Sequence, residues 1–195
     1  VQNAGNANAF TGYRGREAVE QIMGQVAAHL DCPASEVLVC STGVIGVPLP
    51  KDKAKAGVAA ALDATPCTWE DAARTIGTTD TFPKGALAQA MVDGRKVTLG
   101  AIIKGSGMIA PDMATMLGYI ITDVQLTKEH AQALIKKTAD VSFNMISVDG
   151  DSSTNDCCFV MANGASGIQL QNEKDIQKFE SVFEDIAIFL AKSIA

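Results

Sequence analysis

The sequence lacks any run approaching the roughly 18 consecutive apolar residues of a membrane-crossing helix, so no segment is expected to span a bilayer. It lacks a basic surplus. Sixteen Lys and Arg against 22 Asp and Glu give a formal charge of −6, with the signs interspersed, and a nucleic-acid partner would call for a basic stripe. Histidine is scarce: His29 and His130 both fall in helical patterns and leave little material for a histidine-based triad. Cysteine is present but without metal-ligand spacing, and no metal site is expected. Cys32, Cys40, Cys67, Cys157 and Cys158 form an odd set that reads as reduced core residues of a cytosol-like compartment. Cys157 and Cys158 are expected on opposite faces of one strand. Internal repeats and low-complexity tracts are missing, as are an initiating methionine and a signal peptide. The chain opens in a glycine-bearing polar run, Val1 to Asn8, of the kind that follows a strand. It closes at Ala195 inside a helical pattern without a stop signal, so segments are expected to be missing at both ends.

What is present suffices for a sizeable core. With 195 residues, 47% hydrophobic and 19% charged, the chain can form one large or two small domains. Helical stripes run over Arg16 to Leu30, Lys53 to Ala64, Thr68 (as N-cap) to Arg74, Thr127 to Asp140, and from Glu173 onward. Strands are expected at Glu36 to Ser41, Val97 to Ile103, Met116 to Thr122, Met145 to Val148 and Cys157 to Met161. Asp93-Gly94 has the composition of a hairpin turn, and Thr78 to Lys84 and Asp149 to Asp156 read as polar loops. Small groups of alternating strands and helices favour a mixed α/β or α+β fold, with layered sheets and flanking helices. A domain boundary is expected around Thr122 to Thr127.

One segment concentrates the chemistry. Lys104 to Gly118 places a single hydroxyl nucleophile, Thr115, at the end of a loop bent by Gly105, Gly107 and Pro111 between two expected strands. Such a threonine can attack the carbonyl of Ala114 and cut the chain. The freed α-amine, with a reference pKa of about 7.7–8, is then a local general base for attack on an acyl substrate. Lys104 supplies positive charge in the same loop. A separate glycine turn at Thr42-Gly43 offers backbone donors, with the Thr42 hydroxyl, for a developing oxyanion. Each feature is ordinary alone; together they are the parts of an acyl-transfer site.

Other motifs are weaker. Gly105-Ser106-Gly107 lacks the GxxxxGK[ST] and complete GxGxxG patterns and precedes Pro111, so nucleotide binding is not favoured. Asp149 to Asp156 superficially resembles a calcium loop, but its glycine comes too early and its twelfth position is not glutamate. A turn tied by Asx and Ser/Thr side-chain bonds is the better account, and it could still help to shape the site.

Lys104 to Gly118, with Ser41 to Gly46, Thr78 to Lys84, Asn3 to Gly12 and Ser147 to Asp156, closely resembles the ornithine acetyltransferase family, the bifunctional glutamate N-acetyltransferases of arginine biosynthesis. The match runs over nearly the whole chain, and Met-Ala-Thr-Met-Leu at 113–117 is its most specific part. The resemblance implies an autoprocessed N-terminal-threonine acyltransferase, a multifunctional enzyme cut between Ala114 and Thr115 into α and β chains that remain together as a heterotetramer. Residues 1–114 would then be the C-terminal part of the α chain, with the oxyanion turn and substrate loop, and 115–195 the N-terminal part of the β chain. Thr115 would carry acetyl from N-acetylornithine to glutamate in a ping-pong cycle, releasing ornithine and N-acetylglutamate. Thr42 and Gly43 would form the oxyanion site, and Thr81, Lys104 and Thr115 would contact substrate. No cofactor is implied, with acetyl-CoA left open as a donor, and a bacterial cytoplasm is the expected location. The family's glutamate beyond the last helix, and its C-terminal asparagine and hydroxyl residue, have no counterpart in this sequence. Two rival readings stand beside this one: an N-terminal-nucleophile amidohydrolase or aminopeptidase that lets water resolve the acyl-enzyme, and a non-catalytic fragment that keeps the fold.

Overall fold

The computed structural model describes residues 1–109 and 116–195. They divide into two compact units, Val1–Thr68 and Trp69–Ala195. The boundary expected at Thr122 to Thr127 is therefore corrected. That stretch lies inside the second unit, where Val124 is fully buried and Gln125 N–H donates to the Ile168 carbonyl at 2.9 Å.

In the first unit, β1 (Gln2–Asn6) pairs in parallel with β2 (Cys40–Val44), and α1 (Gly12–Leu30) packs against α2 (Lys51–Leu62). The apolar stripe read from the sequence becomes the core: Ala18, Ile22 and Val26 of α1 meet Val37, Leu49 and Val58. Two expectations fail here. The opening polar run is itself a strand, because its backbone is satisfied by Cys40–Val44. The strand expected at Glu36 to Ser41 begins only at Cys40, since Pro33 starts a 3-10 turn over Ala34–Glu36, closed by Val37 N–H on the Ala34 carbonyl.

The second unit opens with α3 (Trp69–Ile76) and holds a four-stranded sheet in the order β3-β4-β5-β6. Here β3 (Lys84–Val92) and β4 (Arg95–Lys104) form a hairpin about Asp93-Gly94, whose φ values of 50° and 67° are those of a type I′ turn. The sequence reading did not assign β3. Its alanine-rich run has little intrinsic strand preference, and pairing with β4 and packing on the last helix decide its state. Next come β5 (Leu117–Thr122), antiparallel to β4, then α4 (Lys128–Asp140) and β6 (Cys157–Ala162), parallel to β5. The chain closes with α5 (Glu173–Ile194). Both later helices start on capping side chains: Thr127 accepts from His130 N–H at 3.1 Å, and Asn172 accepts from Asp175 N–H at 2.9 Å.

Alternation along β4 sends Val97, Leu99, Ala101 and Ile103 to one face, where Phe179, Phe183, Ile186 and Leu190 of α5 and Leu134 of α4 complete the core. Cys158 joins that face as well. Burial raises its thiol pKa to about 12, which makes it an inert packing group. Among the described residues no cysteine is in a disulfide. The strand expected at Met145 to Val148 is instead a 3-10 turn, Phe143–Met145, after which Val148 N–H is taken by the Ile109 carbonyl at 2.8 Å. The fold is thus the expected mixed α/β type, with helices flanking sheets. Among the described residues no helix is long and apolar enough to cross a membrane.

Candidate active site

Sheet register brings the charged groups of the second unit to one end. Lys84 pairs with Ile103, Lys104 with Leu117, and Leu117 with Cys157, so β3, β4, β5 and β6 present Lys84, Lys104, the Met116–Leu117 junction and the Asp156–Cys157 junction side by side. Lys104 is the last residue of its strand and only 2% exposed. Its ammonium lies 3.5 Å from the Thr78 hydroxyl. Burial pulls its pKa below the usual lysine value, while Asp80 and Asp156 favour its charge and Lys84 opposes it.

A buried ion pair supports that lysine. Asp80 accepts from Lys84 Nζ at 2.7 Å and from Gly105 N–H at 2.8 Å through one oxygen, and from Thr78 N–H at 3.3 Å through the other. Lys84 Nζ also lies 4.5 Å from the centroid of the Phe82 ring. Burial of Asp80 works to raise its pKa, but these partners outweigh it and hold the carboxyl below the ordinary carboxylate value. Asp80 therefore clamps the 78–84 loop to the residue that follows Lys104.

The polar loop after α4 does a second job. Asp149 accepts from Met108 N–H at 2.5 Å and Ile109 N–H at 2.8 Å, and these bonds lower its pKa. Its Asx bond to Asp151 N–H, and the Ser153 hydroxyl on Asn155 N–H, give the side-chain-tied turn expected from the sequence. At the other end of this loop Asp156 accepts from Met116 N–H at 2.8 Å. One loop thus fastens the chain on both sides of residues 110–115. The second oxygen of Asp156 is buried and takes no hydrogen bond. Burial raises the Asp156 pKa to about 6, although Met116 N–H, the Ser153 hydroxyl and Lys104 all favour the charge.

The residues singled out from the sequence fall into three groups. Lys104 stands within this cluster, and Thr81 follows Asp80 in sequence, exposed on the 78–84 loop and lining a recess of about 210 Å³ with Thr78, Asp80 and Phe82. Thr42 and Gly43 belong to the first unit, inside β2 rather than in a turn after it. Thr42 is 4% exposed. Gly43 has φ 131°, and a Cβ there would stand 2.3 Å from the carbonyl carbon of Gly5, so only glycine fits. The ladder is irregular at this point, with Asn6 opposite both Thr42 and Val44. Ala114 and Thr115 lie outside the described residues.

Sequence reasoning missed Asp80, Lys84, Asp149 and Asp156. The available signals were slight: Asp80 four residues before Lys84 in a loop, and an aspartate at each end of the 149–156 loop. Among the described residues no group of three or more His, Cys, Asp or Glu could hold a metal ion.

The profile of the ArgJ family matches residues 1–195. An arginine biosynthesis bifunctional protein ArgJ of Zymomonas mobilis is 47% identical over 197 residues, covering 100% of this chain and 48% of that protein. The protein of the same name from Symbiobacterium thermophilum is 47% identical over 200 residues, covering 100% of this chain and 49% of its own length. The chain therefore spans about half the length of these relatives. Among solved structures, the arginine biosynthesis bifunctional protein ArgJ of Bacillus halodurans aligns with a TM-score of 0.53 and 38% identity over 60% of each chain.

Proposed function

The chain belongs to the ArgJ family, and from that premise we propose that it supplies the central part of a self-cleaving acetyltransferase of arginine biosynthesis. Thr115 attacks the carbonyl of Ala114, the chain is cut there, and the new N-terminal threonine becomes the acyl carrier. Its hydroxyl attacks the acetyl carbonyl of N-acetylornithine while its amine takes the proton. Ornithine leaves, glutamate attacks the acetyl-threonine, and N-acetylglutamate is released. Acetyl-CoA is an alternative donor in this scheme. The α and β chains remain together as a heterotetramer in the cytoplasm.

Lys104 carries this reading. A lysine 2% exposed at a strand end, paired with Leu117, the first residue of the strand that Met116 leads into, is a costly feature for a scaffold. It suits a site that attracts a carboxylate or polarises a carbonyl. Thr81, on the loop clamped to Gly105, is assigned to the same substrate. Thr42 and Gly43 are assigned to the oxyanion. The positive φ at Gly43, which turns its peptide away from regular strand geometry, supports this.

The test is Thr115→Ala, which is expected to remain uncut and to transfer no acetyl. Intact mass after exposure of the wild type to N-acetylornithine should show one acetyl group on the threonine-initiated chain. Two normal fragments from the alanine variant would end the proposal. Release of free acetate without transfer to glutamate would favour the amidohydrolase reading.

A further inference from the structure

Asp80 joins segments that the sheet itself leaves unconnected. Ladder pairing of Lys84 with Ile103 and of Lys104 with Leu117 already fixes both lysines at their strand ends. Outside the ladder lie the loop before β3, which carries Thr81, and Gly105, the residue after Lys104. One carboxylate ties these together. Its Oδ1 accepts from Gly105 N–H at 2.8 Å and from Lys84 Nζ at 2.7 Å, and its Oδ2 accepts from Thr78 N–H at 3.3 Å. The Thr78 hydroxyl in turn lies 3.5 Å from Lys104 Nζ. Gly105 is also packed on α5, where an added Cβ would stand 3.3 Å from the Ile194 side chain. An ion pair whose side chains are 8% and 3% exposed gains little stability over an apolar pair of the same volume. What it supplies is a definite geometry.

Resting on the reading of Lys104 and Thr81 as substrate contacts, we propose that Asp80 is a positioning residue for substrate binding, holding the Thr81 loop against the end of the Lys104 strand so that both meet one amino-acid substrate at a fixed spacing. Lys84 serves this by supplying the countercharge that keeps a buried carboxylate ionised while it accepts from two backbone N–H groups. On Lys104 itself the pair acts in opposite senses, Asp80 favouring the ammonium charge and Lys84 opposing it. Removing both members therefore disturbs the Lys104 charge less than removing either alone. The geometry of the loop is what changes.

The experiment separates positioning from stability. Acetyl transfer from N-acetylornithine to glutamate is measured on the full-length enzyme and on Asp80→Ala and Asp80→Ala/Lys84→Met, alongside thermal unfolding. In the double variant neither charge of the pair remains, but Gly105 N–H and Thr78 N–H still lack their acceptor. Its melting temperature should recover toward the wild type, whereas KM for N-acetylornithine should stay about 10-fold raised in both variants, with kcat within about threefold. A purely structural Asp80 would let KM return together with stability, and that result overturns the proposal. Asp80→Asn, which offers one acceptor oxygen in place of two, covers the case in which the double variant does not fold. Its KM should rise about threefold, and an unchanged value overturns the proposal. Lys104→Met tests the parent reading by itself. An unchanged KM there removes Lys104 as a substrate contact and this proposal with it, while a raised KM beside a normal one in the Asp80 variants overturns the positioning role alone.

Discussion

Removing Asp80 tests whether the buried pair organises the site end of the sheet. The side chains of Asp80 and Lys84 are 8% and 3% exposed, and the ammonium is held at 2.7 Å. Asp80→Ala leaves a buried lysine without its anion and strips Gly105 N–H of its acceptor. Breaking a buried pair from one side costs about 3–5 kcal/mol. For a protein of this size that corresponds to a melting temperature lower by roughly 6–20 °C. Asp80→Ala/Lys84→Met removes both charges and should recover about half or more of the loss, because an apolar pair of similar volume is often neutral in such a site. Thermal and urea unfolding of the wild type, both single variants and the double variant close the cycle. The pair also carries a pH dependence. Asp80 is held below 3.8, so its contribution is complete above the unfolded value and disappears as pH falls through the lower folded value. The cycle should therefore shrink in acid. If Asp80→Ala unfolds within about 1 kcal/mol of the wild type at neutral pH, the magnitude expected of a broken buried pair is wrong here.

Two further results are expected. Gly43→Ala must place a Cβ 2.3 Å from the Gly5 carbonyl carbon at φ 131°, and should cost about 2–4 kcal/mol from overpacking and strain together. Loss of β1–β2 pairing, read by amide hydrogen exchange at Cys40–Val44, is the matching signature, and unchanged protection would refute it. Asp156→Asn should be more stable than the wild type above pH 6 by about 1–2 kcal/mol, after discounting a raised pKa of about 6 for partial exposure. The sign follows from the native carboxyl binding its proton more tightly than the unfolded one: wild-type stability falls as pH rises from about 4 through about 6, and the asparagine variant lacks that fall. Melting curves at pH 4.5 and pH 8 that run parallel for the two proteins would contradict it.

Legibility in the sequence followed from how local each determinant is. The helices over Thr127 to Asp140 and from Glu173 onward were legible because a helical stripe repeats within each turn, and Asp93-Gly94 announced a hairpin because the turn itself demands positive φ. The β3 strand escaped because alanine carries little strand preference and its partner lies across the hairpin. Cys40–Val44 was displaced for a related reason: its pairing partner is the polar segment Gln2–Asn6, some 38 residues away in register, which no periodicity marks as a strand.

The site divides along the same line. Lys104 could be suspected because it shares one short stretch of sequence with the nucleophile candidate, whereas Asp80 and Asp156 look like ordinary loop aspartates until the sheet sets Lys84, Lys104 and Met116 beside them. What the fold adds is a pair of opposite protonation tendencies at one sheet end. Burial pulls the Lys104 pKa down and pushes the Asp156 pKa up, and each charge favours the other. Acid–base chemistry near neutral pH needs groups displaced from their ordinary values in these directions. A loop that ties Ile109 with one aspartate and Met116 with another brings that chemistry to both flanks of the sequence's one strong nucleophile candidate.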